Sequence, residues 1–214
     1  MNASTAWIVI PLLGYLAGTF PFGYLCAKVA SGMDIRREGS GNIGATNVAR
    51  VLGPKWGILV LILDLLKGLL SVIFLPRLAG PELQNDLGVW AGFFAIIGHM
   101  YPIWLGFRGG KGVATALGVV LALSPVATAV SVTTFLFVVG STRFVSLGSI
   151  CAVTAFAVAH FTKTSPNSFT EQHRSLSIFS LVIPLMIIVA HRQNLSRLIR
   201  GEEAKLGAKK KPTE

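Results

Sequence analysis

Three polar, glycine-rich segments hold most of the residues in this chain that could handle a charged substrate. The first, GSGNIGATNVAR over 39–50, reads as a flexible loop leading into a short helix that stops at Gly53-Pro54, with Ser40 or Asn42 as its cap. Thr46, Asn47 and Arg50 then share a face. Backbone amides of Gly41 and its neighbours, the Asn42 amide and the Arg50 guanidinium would suit two phosphate oxygens; the alternative is a capped interfacial helix. The second segment, GHMYPIWLGFRGGKGVAT over 98–115, sets Gly109, Gly110 and Gly112 around Lys111, which would let backbone amides approach a phosphate closely at the start of a helix from Val113. The third, HRQNLSRLIRGEE over 191–203, continues from an apolar helix and puts His191, Asn194 and Leu198 on one stripe, with Arg192 beside them. It reads either as an imidazole and an amide facing one partner or as a basic helix end reaching for water.

Two familiar motifs are excluded by context. Residues 39–44 spell G-x-G-x-x-G, and Asp64 follows twenty residues later, but a dinucleotide fingerprint needs a preceding strand, and here an apolar helix precedes. The Lys111 loop is not a Walker A loop, because Gly112 stands where Ser or Thr is required. Cys26 and Cys151 lie in apolar stretches, so neither a disulfide nor a metal site is expected, and no cofactor is implied. No convincing covalent nucleophile appears, and none of His99, His160, His173 or His191 is followed by Asp five residues on.

These segments must be positioned by membrane helices. Of 214 residues, 52% are hydrophobic and 13% charged, which excludes an ordinary soluble domain. Lys plus Arg number 19 against 9 Asp plus Glu, a net charge of +10. Nucleic acid is not an expected partner, since no soluble basic domain exists; anionic lipid or small phosphorylated molecules are. Apolar windows cover 7–30, 56–75, 87–107, 113–139, 144–161 and 176–190. The first lacks a basic leader and is expected to be a retained helix. Lys and Arg concentrate in the connections 30–55 and 108–111 and in the tail after His191, which assigns those to the cytoplasm and the N-terminus to the outside. An even number of crossings would strand the basic tail outside. Splitting the long run at Ser124-Pro125 restores parity with seven, although each half is then only about 16 to 21 Å long. The expected fold is an all-α polytopic membrane protein with seven transmembrane helices, N-terminus outside and C-terminus cytoplasmic. A single domain over 1–204 would be followed by a charged, disordered tail over 205–214.

Gly14 and Gly18 form a small-xxx-small pair for helix packing, and Pro11 and Pro21 are expected to kink the first helix. Asp64 and Lys67, at spacing i, i+3 inside a membrane helix, either pair with each other structurally or support a cationic site. His99 is either a satisfied buried histidine or a catalytic one, and Ser146 beside Arg143 has no role legible from sequence.

In order and spacing, the three segments resemble the signature motifs of the PlsY family, the bacterial membrane glycerol-3-phosphate acyltransferases that use acyl phosphate. The resemblance covers essentially the whole chain. It implies seven membrane helices and transfer of a fatty acyl group from acyl phosphate to the 1-hydroxyl of sn-glycerol 3-phosphate, giving lysophosphatidic acid and phosphate, the first step of bacterial phospholipid synthesis. It further implies a multi-pass protein of the inner membrane with its active site on the cytoplasmic face, supplied by an upstream acyl-phosphate-producing enzyme. Roles in activity fall on Ser40, Arg50, His191 and Asn194, and acyl-phosphate binding on Gly109, Gly110 and Gly112 with Lys111. Since the mixed anhydride carries its own leaving group, direct attack by the glycerol hydroxyl is expected, with either His191 or a donor phosphate oxygen taking the proton. Ser40 would position a substrate or briefly carry the acyl group. The rival class is a transporter or flippase of a phosphorylated or lipidic anion, which the one-sided clustering of motifs and the absence of an internal repeat disfavour.

Overall fold

The long apolar run does break at Ser124-Pro125. In the computed structural model, which describes residues 1–207, α6 (Val113–Leu123) ends there and α7 (Pro125–Thr142) begins. Pro125 occupies the first helical position, where its missing N–H is no loss, and the Thr128 hydroxyl clasps the break by donating to the Val120 and Ser124 carbonyls (2.7 and 2.9 Å), which also accept backbone amides.

Among the described residues the regular structure is all helical. Its other helices are α1 (Ala3–Gly18), α2 (Phe22–Ser31), α3 (Ala45–Leu52), α4 (Pro54–Phe74), α5 (Gln84–Met100), α8 (Val145–Thr164), α9 (Arg174–Ala190) and α10 (Arg192–Ile199). Among the described residues, five segments are long and apolar enough to cross a membrane: Ala3–Ser31, Pro54–Leu78, Pro81–Leu105, Pro125–Thr142 and Val145–Thr164. Joining α9 to α10 makes six, and α6, with 11 residues, is a shorter apolar helix. Large apolar side chains such as Ile8, Phe137, Leu136 and Leu185 face outward, as lipid-facing residues must.

The first window departs from a single kinked helix: it breaks between α1 and α2. Pro21 cannot donate, and the Lys67 ammonium from α4 bonds the Phe20 carbonyl (2.9 Å). Small residues set the helix spacing. An added Cβ at Gly14 or Gly18 of α1 would run into the backbone of Ala91 or Ala95 of α5, and one at Gly68 or Gly118 would do the same between α4 and α6. Val72, Ile96, Val119, Phe179 and Ile187 fill the centre where α4, α5, α6 and α9 meet.

The last helix is the second departure. Instead of one helix running through 191–200, α9 and α10 meet at 56°, with His191 at the bend. Of the tail expected to be disordered over 205–214, residues 208–214 lie outside the described residues. Leu206, however, exchanges two backbone-directed bonds with Arg143 (2.7 and 2.8 Å), which fastens the chain across the α7–α8 turn.

Candidate active site

The loop before α3 is held by one side chain. Asn47 accepts from the Ser40 amide (2.8 Å) and donates to the carbonyls of Asn42 (2.8 Å) and Glu38 (3.0 Å), so its amide is consumed inside the loop. Asn47 is buried, borders the cavity described below, and shapes the loop that carries Ser40 ahead of α3, from which Thr46 and Arg50 project. The expected side-chain cap is also absent. Asn42 accepts instead from the Gly44 amide (2.8 Å), one residue before α3 begins. Gly41, in the left-handed region at φ 72°, serves the turn and does not border the cavity described below.

The Lys111 loop is braced in a comparable way. The Gly109 amide donates to the Met100 carbonyl and that of Gly110 to the His99 carbonyl, both at 3.0 Å. These two amides are therefore bonded within the protein, and neither glycine borders the cavity described below. A Cβ on Gly110 would fall on the His99 imidazole, and one on Gly109 would meet the His99 carbonyl. The glycines exist so that the loop can lie on the end of α5. Gly112 takes φ 84° and closes against Ile96 and Met100, and the opening turn of α6 that follows it borders the cavity.

On the far side, the bend at His191 turns α10 so that His191 and Asn194 face inward. The His191 Nδ1–H donates to the Ile187 carbonyl (2.8 Å), leaving the Nε2 lone pair free. Burial and the nearby Lys111 charge lower the imidazole to about 4, so it is neutral at physiological pH. Lys111 is itself lowered to about 8, chiefly by burial, with Glu203 pulling the other way. Its ammonium donates to the Asn194 carboxamide oxygen.

Sequence reasoning missed the hub of this side. Glu203 accepts from Ser146 (2.7 Å), Asn194 Nδ2 (2.6 Å) and Arg197 Nε (2.8 Å), and these bonds hold its carboxyl below the usual range against a desolvation that raises it. Gly201, at φ 71°, reverses the chain so that Glu203 can reach back. Arg197 takes the place expected of Arg192, which is exposed and does not border the cavity, because the bend turns its side of α10 outward. The available signal was the i, i+3 spacing of Asn194 and Arg197, which puts them on one face.

One cavity of about 400 Å³ gathers the site. Ser40, Thr46, Arg50, Lys111, His191, Asn194 and Arg197 are among its polar lining, and Ile58, Leu61, Phe135 and Val139 among its apolar walls. Among the described residues, the Ser40 and Thr46 hydroxyls and the Arg50 guanidinium have no protein hydrogen-bond partner, so they are available to a ligand. The floor contains Asp64 and His99. Asp64 pairs with Lys67 at 2.9 Å and faces His99 Nδ1 at 3.5 Å, so the two intramembrane charges serve each other, and Lys67 does not reach the cavity. Ser146, whose role sequence left open, borders the cavity as a partner of Glu203. Among the described residues, no group of His, Cys, Asp or Glu is arranged to hold a metal.

Comparisons with known proteins agree on one family. The glycerol-3-phosphate acyltransferase family model matches residues 8–201. Glycerol-3-phosphate acyltransferases of an Anaeromyxobacter species (41% identical; 96% of this chain, 99% of the relative), Synechococcus elongatus (43%; 94% of each) and Acholeplasma laidlawii (40%; 98% and 97%) align over nearly their whole lengths. The crystal structure of PlsY, described as an integral membrane glycerol 3-phosphate acyltransferase in its glycerol 3-phosphate form, is 38% identical with a TM-score of 0.84 over 95% of this chain and 96% of that one. Its lysophosphatidic acid form gives a TM-score of 0.81 over the same shares. The similarity runs through every helix that builds the cavity, and the chain belongs to the PlsY-type family of integral-membrane glycerol-3-phosphate acyltransferases.

Proposed function

We propose that this protein transfers a fatty acyl group from acyl phosphate to the 1-hydroxyl of sn-glycerol 3-phosphate, producing lysophosphatidic acid and inorganic phosphate. The observation that carries the reading is one cavity whose lining combines the cations Arg50, Lys111 and Arg197 with the apolar side chains Ile58, Leu61, Phe135 and Val139. Two phosphorylated groups and one alkyl chain call for such a combination. The PlsY relative crystallised in glycerol 3-phosphate and lysophosphatidic acid forms adds support.

In this mechanism Arg50, Lys111 and Arg197 neutralise the two phosphates, and the Ser40 hydroxyl orients a substrate. The glycerol oxygen attacks the acyl carbon, the bond from that carbon to the phosphate oxygen breaks, and the hydroxyl proton passes to a phosphate oxygen of the donor. An imidazole lowered to about 4 is a poor proton sink, which favours the phosphate as base. His191 Nε2, whose lone pair is free, then accepts a hydrogen bond from the non-attacking 2-hydroxyl of the glycerol and so orients the substrate. Among the described residues no hydrogen bond joins the Ser40 hydroxyl to a base, which favours positioning over a covalent acyl intermediate.

We further propose seven crossings in one domain over 1–204, with α6 as a short crossing. The segments at the cavity end (32–44, 101–112, 143–144 and 191–207) alternate along the chain with 75–83, 124 and 165–173, as seven crossings require. The basic residues of the cavity end support a cytoplasmic face of the inner membrane, with the N-terminus outside and an upstream enzyme supplying acyl phosphate.

The test is product formation by purified protein from radiolabelled glycerol 3-phosphate with acyl phosphate, acyl-CoA or acyl carrier protein thioester in parallel tubes. Lysophosphatidic acid from acyl phosphate alone is expected. Activity with a thioester alone would overturn the donor.

A further inference from the structure

The buried Asp64–Lys67–His99 cluster has no place in the chemistry above, yet it sits directly beneath the loop that carries the phosphate-binding lysine. We propose that Asp64 and His99 are positioning residues that set the height of Lys111 in the cavity, with Gly110 as the contact through which they act. The idea rests on the phosphate-binding role proposed for Lys111.

Three contacts make the chain of support. The His99 imidazole fills the space where a Gly110 side chain would be: an added Cβ would fall on ring atoms Nε2, Cε1 and Cδ2. The Gly110 amide is also bonded to the His99 carbonyl, so backbone and side chain of one residue fix the loop from two sides. Behind the ring, Nδ1 faces the Asp64 carboxylate at 3.5 Å, and Asp64 is held by Lys67, which is anchored on the Phe20 carbonyl. The Asp64 carboxylate thus stands behind the imidazole at 3.5 Å without a hydrogen bond to it, and this buried contact backs the ring on the side facing α4. Lys111 follows Gly110 directly, so a displaced loop carries its ammonium with it. Burying an aspartate, a lysine and a histidine in a membrane helix pair is costly. Holding the lysine at one height accounts for their presence better than packing, which a leucine would serve.

The test is a double-mutant cycle on Gly110→Ala and His99→Ala, with kcat and KM measured for both substrates. Gly110→Ala is expected to lower kcat/KM for acyl phosphate about a hundred-fold, the effect of roughly an ångström of misplacement. Removing the ring beneath it should make room, so Gly110→Ala/His99→Ala is expected to recover about ten-fold over Gly110→Ala alone. Losses that multiply would overturn the proposal. Should Gly110→Ala fail to fold, Asp64→Asn is compared in the native and Lys111→Ala backgrounds. A loss of about ten-fold in the first and no more than about two-fold in the second is expected, and equal losses in both would overturn it. Native constants for Lys111→Ala would sink the phosphate-site reading separately, whatever the sign of the Gly110–His99 coupling.

Discussion

The Lys111 ammonium donates to the carboxamide oxygen of Asn194, joining the loop before α6 to α10 across the cavity. The orientation of that amide is not free, because its NH2 group is bonded to Glu203 (2.6 Å). Asn194 therefore turns an acceptor toward the lysine without adding a negative charge where phosphate must enter. Asn194→Ala is expected to raise KM for the phosphorylated substrates and cut kcat/KM by about ten- to a hundred-fold, and Asn194→Asp to be at least as harmful because its charge repels the ligand. Steady-state assays with radiolabelled glycerol 3-phosphate read both.

Glu203 satisfies three donors and fastens the segment that crosses the site. Glu203→Ala would leave the Ser146, Asn194 and Arg197 donors without this acceptor, at a cost of about 1–3 kcal/mol for each group left buried and unmade. Glu203→Gln keeps an acceptor for Asn194 and Ser146. The expected order of kcat/KM is native, then Gln, then Ala, and an Ala variant as active as the native protein would remove Glu203 from the site.

The pH dependence follows from the two shifted groups. Lys111, lowered to about 8, loses its charge as pH rises through that value, so kcat/KM of the free enzyme should fall above pH 8. His191, lowered to about 4, is neutral above that pH and imposes no limb near 6.5. Lys111→Arg is expected to remove the alkaline limb, since guanidinium stays charged. With the donor phosphate as base, His191→Gln should retain the shape of the profile at reduced rate. A collapse of the chemical step with loss of an acid limb would assign the proton to the imidazole.

Packing of α1 on α5 offers a test remote from the chemistry. Gly18→Ala would push a methyl into the Ala95 carbonyl and is expected to destabilise by about 1–3 kcal/mol, seen as a lower melting temperature in detergent. Gly140→Ala, in α7 with open space around it, should leave melting unchanged or slightly raised.

The apolar helices, the break at Ser124-Pro125 and the candidates Ser40, Arg50, Lys111, His191 and Asn194, which the fold brings to one cavity, were legible in the sequence because each rests on local chemistry: apolar run length, a proline without an N–H, or a polar or charged group in or beside a glycine-rich loop. Spacing alone could not say what those glycines face. Gly110 is small for the sake of His99, and its amide bonds a carbonyl of α5 instead of a phosphate, because the loop folds back on the helix it leaves. Asn47 likewise spends its amide on its own loop. The replacement of Arg192 by Arg197 and the arrival of Glu203 depended on the 56° bend at His191 and the reversal at Gly201. Such turns are set by what the chain packs against, so only the tertiary structure decided which charges share the cavity.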